Sequence, residues 1–317
     1  METNYDSCTL MHGEFPVVRK LGAISPNGES SPFVWNAPDG ERLMWLELVD
    51  KSHGTINQYG QTLAIIRDFE SGEILSRFGE GCYYYSFYQE NDTAYVLGVL
   101  SGGETNGGDE IVIFESRDLI SWSRRTLFRR PGWRYYNTSL TKGSDGYVLL
   151  MEADRPVEAV GAHPFTLFFA TSKNLRDWTF MPDELGFSKE RYMGGPYMRY
   201  SRGWYYVIAV TELPCQRYTN YIYRTRDFRD WYVGLYNPIL MPGNGDRLIS
   251  PMAHDIDDET RRSIQNGFIS NNSDIDMCEY RGKTVIGYIV GNQLGFYYMA
   301  MAVYDGGIDD FLAAYFD

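Results

Sequence analysis

Short apolar or alternating runs, each bounded by turn residues, fill this chain from about residue 29 onward, and no long stretch carries the 3.6-residue apolar period of a helix. Strand-like runs include L-M-W-L-E-L, E-I-V-I-F-E, F-T-L-F-F-A-T, N-Y-I-Y-R and K-T-V-I-G-Y-I-V. Three of the runs lead into one phrase: S-R-D-L-I-S-W at Ser116–Trp122, S-K-N-L-R-D-W at Ser172–Trp178 and T-R-D-F-R-D-W at Thr225–Trp231. A repeat of roughly fifty residues with several strands per unit predicts a β-propeller, because a small sheet hides both faces only by stacking against copies of itself around an axis. Five units fit, over residues 29–78, 83–128, 133–181, 192–240 and 271–316. The expectation is therefore an all-β, five-bladed β-propeller with four-stranded antiparallel blades around a central funnel, folded as one domain over residues 1–317. The early run F-P-V-V-R-K-L is expected to complete the last blade and remove a free sheet edge.

Between the fourth and fifth units, D-I-D-D-E-T-R-R-S-I-Q-N-G reads as a short helix with acids in its first turn and a stop at Asn266-Gly267. This insertion, the Gly-rich loop at Ser101–Asp109 and the D-R-P-V-E-A-V-G-A-H-P stretch are the candidate lips of the funnel.

Composition narrows the function. The net charge of −13 opposes binding to a polyanion, so nucleic acid is not an expected partner. The N-terminus carries no signal-like h-region and no run of about 18 apolar residues occurs, so a cytoplasmic protein without a membrane partner is expected. Cys8, Cys82, Cys215 and Cys278 are too scattered for a zinc knuckle or disulfide framework. No cofactor is required on this reading; a structural calcium or sodium ion in the central channel would take oxygen ligands. Oligomerisation is left open.

The repeated S-x-D-L-x-x-W phrase resembles the five-bladed propeller glycosidases, namely the arabinanase/β-xylosidase, invertase/levanase and agaro-oligosaccharide hydrolase families. The closing segment N-N-S-D-I-D-M-C-E-Y-R-G resembles a poorly characterised bacterial branch of them. The resemblance implies a glycosidase acting on a short oligosaccharide or glycoside in the funnel, with exo-action favoured by long inter-blade loops. It also implies an Asp before a Pro in the first blade, an acid in E-G-P opening a later blade, and a third acid. Here those places hold Ser31-Pro32, Gly194-Gly195-Pro196 and the neighbourhood of Asn137, so the usual carboxylates are missing.

Replacements have to come from other acids, since glycoside cleavage uses one protonated and one ionised carboxyl across the scissile bond. Glu29, two residues before Ser31 and on the same face of a regular strand, is the candidate for the base or nucleophile. Asp274 and Asp276, expected on one face of one strand where each would raise the other's pKa, are placed across the pore from it. Glu152 and Glu212, at the ends of apolar strands, are the assisting candidates. Trp133, Tyr136, Asn137, Arg155, Arg191, Tyr197 and Asn272 are candidates for holding substrate, and His163 is a candidate donor on a lip. Arg130, Arg134, Arg155 and Arg191 would alternatively grip a uronic carboxylate or phosphate, which keeps a phosphorylase or lyase open beside a non-catalytic carbohydrate-binding propeller.

Overall fold

The computed structural model describes residues 15–37, 40–50, 60–103, 105–161, 163–292 and 294–316. After β1 (Arg19–Ser25), three four-stranded antiparallel sheets follow in chain order. The first holds β2 (Gly28–Ala37), β3 (Gly40–Asp50), β4 (Thr62–Asp68) and β5 (Ile74–Phe78). The second holds β6 (Cys82–Glu90), β7 (Thr93–Leu100), β8 (Glu110–Ser116) and β9 (Ser123–Arg129). The third holds β10 (Arg134–Gly143), β11 (Gly146–Arg155), β12 (Thr166–Ser172) and β13 (Trp178–Phe180), with helix α1 (Val157–Val160) after β11.

The remaining strands form one eight-stranded sheet. It contains the meander β14 (Met193–Ser201), β15 (Trp204–Leu213), β16 (Arg217–Thr225), β17 (Trp231–Val233), and the run β18 (Asn271–Tyr280), β19 (Lys283–Gly291), β20 (Tyr297–Tyr304). Among the described residues the two runs pair as strands only at a parallel bridge between Tyr218 and Asn271. Helix α2 (Asp258–Asn266) lies between them and α3 (Ile308–Ala313) follows β20. In α2 the Asp257 side chain caps the helix by accepting from the Thr260 N–H.

β1 pairs antiparallel with β20, so the start of the chain closes the last sheet as expected, although over Arg19–Ser25 instead of residues 15–21. The insertion then covers the outer edge of β1: Ala23 bridges Ile249, and the Ser250 N–H donates to the Ala23 carbonyl. His254 Nε2 meets the Phe69 carbonyl and Asp255 pairs with Arg67 at 2.6 Å, fastening the insertion to the first sheet. The segment expected to form a funnel lip is instead a clamp on the closing edge, satisfying backbone groups that an edge strand would leave open.

The middle strands read as apolar runs because neighbouring sheets cover both of their faces. Phe33, Leu46 and Phe78 of the first sheet pack with Val96, Val112 and Phe114 of the second. Similar cores join the second sheet to the third, the third to the β14–β17 meander, and that meander to the β18–β20 run. A fifth core, containing Trp45, Phe69, Val285 and Met299, joins that run back to the first sheet. The first strands also touch in a cycle, β2 to β6, β10, β14, β18 and again β2.

The repeated phrase is the turn from third to fourth strand. Asp118 Oδ1 accepts from the N–H groups of Ile120 and Ser121, Asn174 Oδ1 from those of Arg176 and Asp177, and Asp227 Oδ1 from those of Arg229 and Asp230. These bonds hold Leu119, Leu175 and Phe228 at φ of 61°, 61° and 60°, a left-handed conformation that bulky residues otherwise avoid. Each phrase ends on a half-buried Trp. Trp122 stacks on Phe78 at 4.2 Å and Trp231 on Phe187 at 4.0 Å. Among the described residues no helix is long and apolar enough to cross a membrane.

Candidate active site at one end of the central channel

All five first strands break register at the same stage, after Gly28, Tyr83, Tyr135, Gly194 and Ser273. Such bulges re-aim side chains that strict alternation would send elsewhere. Four of the bulged residues, Glu29, Tyr84, Gly195 and Asp274, have φ of 34°, 57°, 49° and 49°. Glu29 enters the channel from a bulge and meets there the same small space as Ser31.

Glu29 and Asp274 line a cavity of about 350 Å³ together with Asp50, Tyr84, Asn106 and Tyr297. Asn106 belongs to the Gly-rich loop, which thus forms one lip as expected. The same two carboxyls also line a small space of about 30 Å³ deeper in the channel, with Ser31, Ser86, Asn137 and Asp276. Beyond it lies a third cavity of about 290 Å³, which Asp276, Tyr197 and Arg199 line. Asp274 and Asp276 both border the small space, but across the bulge between Ser273 and Asp276 only Asp274 lines the first cavity and only Asp276 the third. Burial, not mutual repulsion, raises both, Asp276 to about 7 despite bonds from the Ser31 hydroxyl and the Met277 N–H.

Glu152 reaches this cluster from β11 of the third sheet. It is buried, and its Oε2 accepts from Asn137 Nδ2 at 2.9 Å and from the Gly195 N–H at 2.8 Å. A Cβ on Gly194 would stand 3.1 Å from Glu152 Oε1. The carboxyl of Glu152 thus fills the space next to position 194, where the glycosidase resemblance sets an acid; a longer residue at 194 would collide with it. Asn137 supplies a neutral donor where the resemblance sets the third acid.

Gly195 is required next to Asp274. A Cβ there would come within 2.4 Å of Asp274 Oδ1 and 3.0 Å of Val210 Cγ2, on a backbone already at positive φ. Gly195→Ala is expected to lower the melting temperature by several degrees, on the order of 1 kcal/mol or more. By displacing Asp274 it is also expected to lower any turnover in this cavity by about tenfold or more. Circular dichroism melts and initial rates check this, and wild-type values for both would contradict the packing described.

The electrostatics separate the three carboxyls. Burial first, then the charges of Asp274 and Glu152, push Glu29 well above the usual carboxylate range, against one opposing bond from the Tyr84 N–H. Its Oε2 is buried and meets no partner among the described residues. Burial raises Glu152 to about 8, opposed by the bonds from Asn137 and Gly195. Asp274 is raised by burial and eased by the Ser273 hydroxyl. Three carboxyls in one low-dielectric cluster do not all ionise near neutrality.

The other nominated residues are dispersed. Glu212 is exposed at the end of β15, opposite Tyr218. His163, Arg155 and Arg191 are exposed. Trp133 is buried between sheets, stacked on Tyr135 and covered by Arg130 at 3.7 Å, so it serves packing. Arg130 pairs with Asp183 and Arg134 with Asp154. Tyr136 donates to Asp154 and meets Tyr84 edge-on, behind the cavity wall. Tyr197 lines the third cavity, and Asn272 is wholly buried, accepting from Lys20 Nζ at 2.7 Å. Glu47, an acid on an apolar strand, is neutralised by Arg67 at 2.6 Å. Among the described residues, Cys82, Cys215 and Cys278 are unbridged, and no three His, Cys, Asp or Glu side chains cluster as metal ligands. Asp50 is a cavity residue that the sequence did not single out; the register of β3 against the bulged β2 brings it there.

No protein-family model matches the chain, and no curated protein matches it in sequence. Solved structures nevertheless share its fold. A glycoside hydrolase superposes with a TM-score of 0.60 at 12% identity, over 94% of this chain and 93% of that one. A thermostable family-43 glycoside hydrolase gives 0.56 at 12% identity, over 89% and 90%. An endo-1,4-beta-xylanase from Bacteroides thetaiotaomicron gives 0.52 at 13% identity, over 90% and 92%. The chain has the fold of the family-43 glycoside hydrolases.

Proposed function

We propose that this protein is a glycoside hydrolase, built as a single-domain, five-bladed β-propeller, that removes a terminal sugar from a short oligosaccharide or glycoside. The closed cycle of first strands and the five inter-sheet cores support the blade count, with the eight-stranded sheet divided at the Tyr218–Asn271 bridge into two blades. One observation carries the activity: two buried carboxyls on matching bulges, Glu29 and Asp274, line the same cavity.

In this reading Glu29 is the general acid. Its isolated Oε2 and its two anionic neighbours favour the protonated form. That exchanges the role given to position 29 by the glycosidase resemblance, because burial beside Asp274 and Glu152 disfavours the charge a base needs. Asp274 is the base that takes a proton from the attacking water. Glu152, held by Asn137 and Gly195, is a positioning residue that keeps the bulge of β14 in place and, when charged, raises Glu29 further. The reaction in this reading is a single displacement with inversion, in which water activated by Asp274 attacks directly.

A volume of about 350 Å³ lies at the small end of ligand pockets, which run from roughly 300 Å³ upward, and suits one or two sugar rings instead of a threaded polymer. Among the described lining residues there are three acids, Glu29, Asp50 and Asp274, and no Lys or Arg. The arginines that would have favoured a uronate or phosphate lie elsewhere, so an uncharged sugar is the proposed substrate and no cofactor is assigned. The test is a panel of neutral and uronic p-nitrophenyl glycosides and short oligosaccharides. Release of neutral monosaccharide is expected; sugar binding without release would support a carbohydrate-binding module instead.

A further inference from the structure

The space of about 30 Å³ behind Glu29 and Asp274 has no part in admitting a sugar. A water needs a site of about 10–15 Å³ or more and two to four polar partners. Here Glu29, Asp274, Asp276, Ser31 and Ser86 all border the space, so the requirement is met several times over. Part of that polar wall is already fixed. Ser31 donates to Asp276, and Ser86 Oγ and Thr138 Oγ1 lie 3.0 Å apart, which leaves the carboxyl oxygens facing the space as the strongest acceptors.

The single-displacement reading, on which this inference rests, creates a need for such a site. In each turnover water gives its hydroxyl to the anomeric carbon and its proton to Asp274, while Glu29 passes its own proton to the departing oxygen. The sugar products carry every atom of substrate and water, but the protein is left with Asp274 protonated and Glu29 ionised. The front cavity is then filled by product.

We propose that the small space holds a water bridging the Glu29 and Asp274 carboxyls, and that this water returns the proton by taking it from Asp274 as it gives one of its own to Glu29. The transfer is internal and leaves no net charge or atom behind. Asp276, bordering both this space and the third cavity, keeps the bridging water oriented from the far side.

Two measurements test it. A high-resolution crystal structure of the wild type should show an ordered water within hydrogen-bonding distance of both carboxyls; a hydrolase without that water overturns the inference while leaving the hydrolytic reading intact. Ser86→Val adds a branched apolar side chain to the wall without touching either reacting group. Its single-turnover rate with enzyme in excess should stay within about twofold of wild type, while steady-state turnover falls by about tenfold, the low end of what a positioned proton transfer supplies. Equal losses in both rates, no loss in either, or product released with retained anomeric configuration would each overturn the proton return. A wild type that cleaves no glycoside removes the hydrolytic reading and this step with it. Should Ser86→Val not fold, the crystal structure alone decides the water site.

Discussion

Glu29→Gln is expected to lower turnover by about two orders of magnitude or more while leaving the melting temperature close to wild type. The amide nearly matches the acid in shape, and the native environment of burial, Asp274 and Glu152 already favours an uncharged group at this position. What is lost is the proton for the departing oxygen, worth roughly 10²–10⁴ in rate. A substrate whose leaving group needs no proton, such as a dinitrophenyl glycoside, should recover most of the loss. The pH profile adds a second readout. An acid must be protonated to work, so wild-type activity falls as pH rises through the elevated value of Glu29, and that alkaline limb should vanish in the variant. Near-normal turnover on an unactivated glycoside would remove Glu29 from the reaction.

Asp274→Asn should cost as much, about 10²–10⁴ in turnover, but with the opposite signature. The base is needed whatever the leaving group, so a dinitrophenyl glycoside should rescue nothing. A base works ionised, and in wild type activity falls as pH drops through its raised value. Removing its charge also removes a repulsion that raises both Glu29 and Glu152, so those two groups should ionise at lower pH in the variant than in wild type. Initial rates on paired substrates check this. Rescue by the better leaving group would show that Asp274 and Glu29 have been assigned each other's roles.

The architecture was readable because its signals are local. The S-x-D-L-x-x-W phrase encodes a capped turn with one residue in the left-handed region, and three copies fix the period. The apolar middle strands, the short α2 helix and the pairing of the N-terminal segment with the last sheet follow from composition and neighbouring residues in the same way. The site was readable only in part. Glu152 stands out as an acid on an apolar strand, Glu29 by its place two residues before Ser31 and Asp274 as one of two closely spaced acids on a strand, and the structure brings all three together. Alternation does not show what surrounds them, since one extra residue in β2 and the break in β18 decide which of the cavities each side chain reaches. Asp276 was read as raising the pKa of Asp274 and being raised by it, whereas burial raises each. Glu212 has the same strand-end setting as Glu152, yet only Glu152 meets donors from the neighbouring β14, a tertiary contact that no local pattern announces. The glycine at 194 likewise gains meaning only once Glu152 is seen beside it.

The position of a bound sugar tests the central claim most directly. A crystal structure of Glu29→Gln soaked with an oligosaccharide cleaved by the wild type should show the scissile oxygen within hydrogen-bonding reach of residue 29 and a water held by Asp274 facing the anomeric carbon. A sugar lodged elsewhere would contradict the account, for instance in the larger groove of about 720 Å³ beside Tyr147, Lys173 and Tyr205, with the cavity at Glu29 and Asp274 free of sugar.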